Sequence, residues 1–395
     1  MPDLILSAAR ARWSSAQGLD VPTVEPIAAT LERTGWVRTL GGLAGYLALS
    51  ARNPTATVDA VIAAVASGDI GVSPAVRGCI YLVPRAHEAL ALRVARHLSA
   101  KRIAKEQEKL AMDEAELDSV GEAVLALVAA GPLTTAQLRM QLPEGAVRSL
   151  GEVGKKLGVT STLPPSLRRL EFHGRLRRTP IDGRLDHERY AWAADDLDVG
   201  EAAPDDLAQL AGLYLRWAGP STRKELAAWT GLKQAEAKQA LLACGAEPAT
   251  FQGQEVFVAP SGHQREATGK VVWLPAMDNL YALRHEARPL VDPAYADVEV
   301  SNFGSGGRST LAAMSQPIER TIVRDGEVVG MWAYDPANDE VVHTLAPIAS
   351  GLDVEAERAR VQAIIARVGH GRVFSIDTDA RLTARAERLR TLEWP

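Results

Sequence analysis

Cysteine is nearly missing: two residues, Cys79 and Cys244, occur in 395. They lie far apart, with neither CxxC nor His-rich spacing, so a disulfide framework or a zinc site is not expected. A reducing compartment, the cytoplasm, is the natural home of such a chain. The eight histidines are scattered singly and suggest no ligand set. No run approaches the ~20 apolar residues that would span a bilayer. The first residues carry Asp3 where a secretory leader needs basic charge, and their apolar run is short. The Gly-rich stretch Asn302–Arg308 has neither nucleotide-loop spacing and reads as a flexible loop. The expectations are therefore no metal, no organic cofactor, no membrane and a cytoplasmic, monomeric protein.

A basic surplus is also lacking, since the net charge is −5. That weighs against a nucleic-acid binder, which usually carries excess Lys and Arg. The charge is segregated, however. Between Ser166 and Arg178 stand Arg168, Arg169, Arg175, Arg177 and Arg178 against the single acid Glu171. Between Asp195 and Asp206 lie six acids and no base. Such segregation lets one face meet phosphates while the rest stays acidic.

What is present is repeated patterning in a chain long enough for several domains. An amphipathic stretch, Asp118–Gly131, is closed by Gly-Pro and followed by PLTTAQLRMQL; Asp205–Gly219 is closed the same way and followed by PSTRKELAAWTGL. Thr134 and Ser221 are the expected N-caps of short second helices. Third helices follow in PPSLRRLEFHGRLRRT and KQAEAKQALLACG, then hairpins turning at Asp182-Gly183 and Gln252-Gly253. Helix, helix, helix and a two-stranded wing is the winged-helix plan. Residues 22–84 read as a further unit of this kind, and a charged helical connector with Arg93, Arg96 and Arg102 follows it.

From about Thr268 the pattern turns to strands, with Asp325-Gly326 a hairpin turn, and then to a terminal amphipathic helix. The expected class is α+β: tandem winged-helix units, a small β-barrel-like domain and a C-terminal helix. The expected boundaries are 1–84, 85–117 (connector), 118–194, 205–260, 265–350 (β-domain) and 351–395 (helical tail).

Four segments in order, Gly35–Leu49, Val76–Pro84, Val271–Glu286 and Asp325–Asp335, resemble the AlkZ-type DNA glycosylases, over about Leu4–Gly369. The resemblance implies three winged helices, a β-barrel, duplex DNA as partner, possibly damaged, and excision of alkylated bases. It also implies a Gln-x-Gln or Gln-x-Asp motif that holds the attacking water. The matching positions here read Arg38-Thr39-Leu40. A guanidinium accepts no hydrogen bond and cannot serve as a base. Thr39 can orient water weakly, and Asp278, after a strand, is the other catalytic candidate; Glu32 is a weaker one. Arg38, Arg77, Arg184 and the five clustered arginines are the DNA-binding candidates. Trp36 and Tyr46 are candidates for stacking on an extruded base. Three readings stay open: a repair protein with altered or lost chemistry, a winged-helix regulator, and an interaction protein without DNA affinity.

Overall fold

The computed structural model describes residues 3–39, 41–259, 266–301, 308–314 and 318–395. Leu40 and Asn302–Gly307 lie outside them. The chain divides into two compact units: residues 1–64, 185–188 and 207–395, and residues 65–184 with 189–206.

The first unit opens with β1 (Asp3–Leu4), α1 (Leu6–Ala16), α2 (Ile27–Thr34), β2 (Val37–Arg38), α3 (Ala44–Ser50) and the start of α4 (Val58–Ser67). Residues Ala44 through Leu49 of α3 are all buried, as an all-round small and apolar sequence requires.

The second unit contains β3 (Ile70–Pro74), β4 (Ile80–Pro84), the long α5 (Arg85–Lys109) and α6 (Glu114–Val128). α6 starts earlier than the periodicity suggests because the Asp113 side chain accepts the amide of Glu116 at 2.6 Å. It buries Leu117, Val120, Gly121, Val124 and Val128, one face of the 3.6-residue period. Then come β5 (Leu133–Thr134), α7 (Thr135–Gln141), α8 (Gly151–Leu157), α9 (Leu163–Phe172), β6 (Leu176–Pro180) and β7 (Tyr190–Ala194). Thr134 and Gln137 form the capping box of α7. Within this unit the antiparallel strands run β4-β3-β6-β7-β5. Val120, Val124, Leu163, Leu167, Leu176 and Trp192 share one core beneath it.

The remainder of the first unit holds α10 (Asp206–Ala218), which begins at the unit boundary, then α11 (Arg223–Thr230), α12 (Gln234–Ala243), β8 (Glu247–Phe251) and β9 (Gln254–Val258). The cap of α11 is Thr222, in a capping box with Glu225. Ser221, the expected cap, instead bridges to Phe257 and bonds Tyr214 and Glu225. β8 also pairs in parallel with β1.

β10 (Val271–Leu274), α13 (Asn279–Ala282), β11 (Glu299–Ser301), β12 (Arg308–Thr310), β13 (Arg320–Arg324), β14 (Glu327–Asp335), β15 (Glu340–Leu345), α14 (Glu355–Val368) and α15 (Asp379–Arg390) complete it. The expected barrel is corrected here: among the described residues β10-β13-β14-β15 is an open antiparallel sheet whose end strands do not pair. Asp325 does turn the β13–β14 hairpin, with φ 50°. Helices replace closure, α15 packing on β14 and β15 and α14 on β10, so nearly every residue of β14 is buried. The chain is thus mixed α and β, with small sheets.

Candidate functional site

In the second unit the arginine-rich segment is not one helix. α9 ends at Phe172 and β6 begins at Leu176, so Arg168 and Arg169 are helical, Arg175 lies in the turn, and Arg177 and Arg178 are on a strand. Arg168 pairs with Glu106 at 2.5 Å and Arg169 with Asp118 at 2.7 Å. Both line a cavity of about 220 Å³ floored by Ala100, Ile103, Leu117 and Phe172. His173 stands in its wall; burial, then the charges of Arg96 and Arg169, push its pKa down, so it is neutral near pH 7.

Successive strand residues face opposite ways, which separates Arg177 from Arg178. Arg178 forks onto Glu171 at 2.6 and 3.0 Å and lies 4.7 Å over the ring of Trp192. Burial lowers the pKa of its guanidinium, but the charge and hydrogen bonds of Glu171 outweigh that and raise it, while burial pushes the Glu171 carboxyl up against the pull of Arg178. Arg177 lines an open depression with Ser67, Gly68, Arg85, Asp195 and Asp196. Arg175 is exposed, 3.8 Å from Glu122. Arg77 is exposed at the tip of the β3–β4 hairpin, in a left-handed conformation (φ 57°) uncommon for a residue with a side chain. Arg184 is half-buried, directly after the Asp182-Gly183 turn.

In the first unit, Arg38 is half-buried on β2 and Thr39 is buried behind it. Gly41 and Gly42 follow, with φ 69° and 73°. A Cβ at Gly42 would stand 2.4 Å from the carbonyl oxygen of Arg372, and one at Gly41 2.6 Å from Ser375. Only glycine fits both the conformation and the space. Trp36 is buried against Trp217 and Trp229, with ring centroids 5.4 and 6.4 Å apart. Tyr46 is equally buried, and its hydroxyl accepts the amide of Leu185 at 3.1 Å. Glu32 is exposed.

Asp278 caps α13 by accepting the amide of Leu280 at 2.9 Å. Its two carboxylate oxygens also receive both Nη groups of Arg52 at 2.7 and 2.9 Å, and both side chains have 0 % exposure. Every oxygen of this carboxylate is thus committed.

Sequence reasoning missed a polar cluster that is tied to residues 41–43, the chain that follows Arg38-Thr39. Asp186 is 1 % exposed, and its Oδ2 lies 2.9 Å from Nε2 of His370 and 3.4 Å from Nδ1 of His187. The amide of Gly42 donates to the Asp186 carbonyl at 2.8 Å, and that of Leu43 to the Arg372 carbonyl at 3.0 Å. Residues 185–188 and 370–375 are therefore tied to residues 41–43. The one local signal was the titratable run Asp186-His187-Glu188; its partner His370 is 184 residues away. α8, with Lys155 and Lys156, was also missed, because GEVGKKL has little helix signal.

Among the described residues no group of His, Cys, Asp or Glu could hold a metal ion, and no helix is long and apolar enough to cross a membrane. A search of curated proteins finds no match. The solved structure of Streptomyces sahachiroi DNA glycosylase AlkZ superimposes with a TM-score of 0.69 at 17% identity, covering 95% of this chain and 99% of that one. The family profile described as "AlkZ-like: DNA glycosylase AlkZ-like" matches residues 33–370. The chain belongs to the AlkZ-like DNA glycosylase family.

Proposed function

We propose that this chain binds duplex DNA in the cytoplasm as a monomer and hydrolyses the N-glycosidic bonds of alkylated bases, more slowly than a site furnished with the amide motif would. The family match over residues 33–370 carries the reading.

The element pattern supports duplex binding by winged helices. In the second unit α6, β5, α7, α9, β6 and β7 follow in that order, with strands paired β6-β7-β5. In the first, α10, the Ser221–Phe257 bridge, α11, α12, β8 and β9 repeat the plan. Arg77, Arg175, Arg177 and Arg184 are the phosphate contacts we infer. Arg168, Arg169 and Arg178 sit in short ion pairs with Glu106, Asp118 and Glu171 and act mainly to hold the unit together. Trp36 and Tyr46 work by packing, and Asp278 by neutralising Arg52.

The slow rate follows from Arg38 in place of an amide. Glycosidic cleavage passes through an oxocarbenium-like cation. At ~4 Å and an effective dielectric of ~20, a guanidinium opposes such a charge by about 4 kcal/mol, roughly a thousandfold in rate. Thr39 contributes no base. A second reading, a lesion binder that has lost the chemistry, is favoured by the same Arg38-Thr39-Leu40. The two separate on one experiment: incubation of the protein, in excess, with a duplex carrying 7-methylguanine, followed by hot alkali. Alkali-labile breaks support the enzyme; tight binding without breaks supports the binder.

A further inference from the structure

We propose that His187, beside the buried carboxylate of Asp186, is the base that takes the proton from the attacking water. The proposal rests on the glycosylase reading above.

His370 defines the proton positions. Its Nδ1 accepts the amide of Arg372 at 3.3 Å, so in the neutral ring the proton sits on Nε2 and is donated to Asp186 Oδ2 at 2.9 Å. His370 is thereby used at both nitrogens and acts as a positioning residue for the carboxylate. His187 places Nδ1 at 3.4 Å from the same oxygen. This is a charge contact rather than a short hydrogen bond like that of His370, and the negative oxygen favours the ring proton on Nδ1, which leaves Nε2 as the acceptor. The exposures divide the roles: the side chains of Asp186 and His370 are 1 % and 13 % exposed, that of His187 is 34 %. His187 alone of the three presents a substantial surface to an incoming water.

The backbone holds this arrangement in place. Glu188, next in the chain, adopts φ 49°, a conformation costly for any residue but glycine. Its carboxylate is secured by the hydroxyl of Ser375 at 2.6 Å. The amides of Leu185 and Gly42 tie the segment to Tyr46 and to the carbonyl of Asp186, next to the strand that carries Arg38. The histidine beside Asp186 is thus tied, through the Gly42 amide, to the chain that follows Arg38-Thr39.

The step balances without a further reagent. Water oxygen forms a bond to C1′, and the C1′–N bond breaks with its electron pair going to the base. A cationic alkylated purine leaves neutral, and the water proton passes to Nε2 of His187. General-base assistance of this kind is worth about 10²–10⁴-fold.

The test uses the full chain, in excess over a duplex with a single 7-methylguanine, comparing the natural protein with His187→Ala and His187→Gln. We expect base release to fall about 100-fold in both, duplex affinity to stay within twofold, and added imidazole to restore part of the rate in His187→Ala only. Release at the natural rate in both variants would overturn the assignment while leaving the glycosylase reading standing. A loss that imidazole does not restore would overturn the proton-transfer role. No release by the natural chain would overturn the glycosylase reading itself, and this assignment with it.

Discussion

Replacing Asp278 by alanine separates a catalytic carboxylate from a structural one. The Arg52 guanidinium has 0 % exposure and four hydrogen bonds: two to Asp278, one to the Ala48 carbonyl and one to Gln17. Its Nε has no partner. Removing Asp278 leaves a buried cation with neutral acceptors alone, and orphaning one member of a buried pair costs about 3–5 kcal/mol. The lost cap on α13 adds about 1 kcal/mol. We therefore expect Asp278→Ala to lose about 4–6 kcal/mol in urea unfolding followed by tryptophan fluorescence. The paired replacement Arg52→Met with Asp278→Leu removes both charges together and should recover most of the loss, since apolar groups of similar volume often replace a buried ion pair at little cost. A catalytic Asp278 would behave oppositely. If Asp278→Ala keeps stability within 1 kcal/mol of the natural chain and loses base release, the structural role is refuted.

The arginines should divide in the same way: Arg175→Ala with Arg177→Ala should leave stability unchanged and flatten the fall of duplex affinity between ~50 and ~200 mM salt. Arg178→Ala should instead cost the second unit about 3 kcal/mol by stranding buried Glu171; equal stability in all three would refute the division. Arg38→Gln with Leu40→Gln removes the opposing charge and supplies two groups able to hold water, so base release should rise tenfold or more while affinity drops slightly; a slower double variant would show that the motif alignment is wrong. Asp377 predicts an acid limit: burial would raise its pKa, but Arg385 and the amides of Phe374 and Val373 hold it below the ordinary value. Its stabilisation is therefore complete above the unfolded value near ~3.9 and lost as pH falls through the lower folded one. Between pH 5 and pH 2.5, Asp377→Asn should lose less stability than the natural chain in urea melts, and parallel losses would refute this.

Much of the architecture was legible because it is locally encoded. Asp182, Gln252 and Asp325 turn their hairpins in left-handed conformations, as the following glycines suggest. Thr134 caps α7, as its spacing to Gln137 requires. The failures came where non-local packing decides. The strands after Thr268 look like barrel strands because sequence does not reveal that α14 and α15 cover the sheet. Arg178 looks like a phosphate ligand until Glu171 and Trp192 close on it. Asp278 reads as a turn aspartate near a cleft until Arg52, 226 residues away, claims both oxygens. The Asp186–His187–His370 cluster is illegible for the same reason, its members being joined through long loops.

The central claim is that this chain breaks glycosidic bonds despite lacking the amide motif. Its most direct measurement is single-turnover release of 7-methylguanine from a duplex, read as strand breaks after hot alkali. The account predicts breaks that rise with protein concentration and saturate, well above spontaneous depurination. Breaks no faster than in the protein-free duplex, at saturating protein and with binding demonstrated on the same duplex, would contradict it.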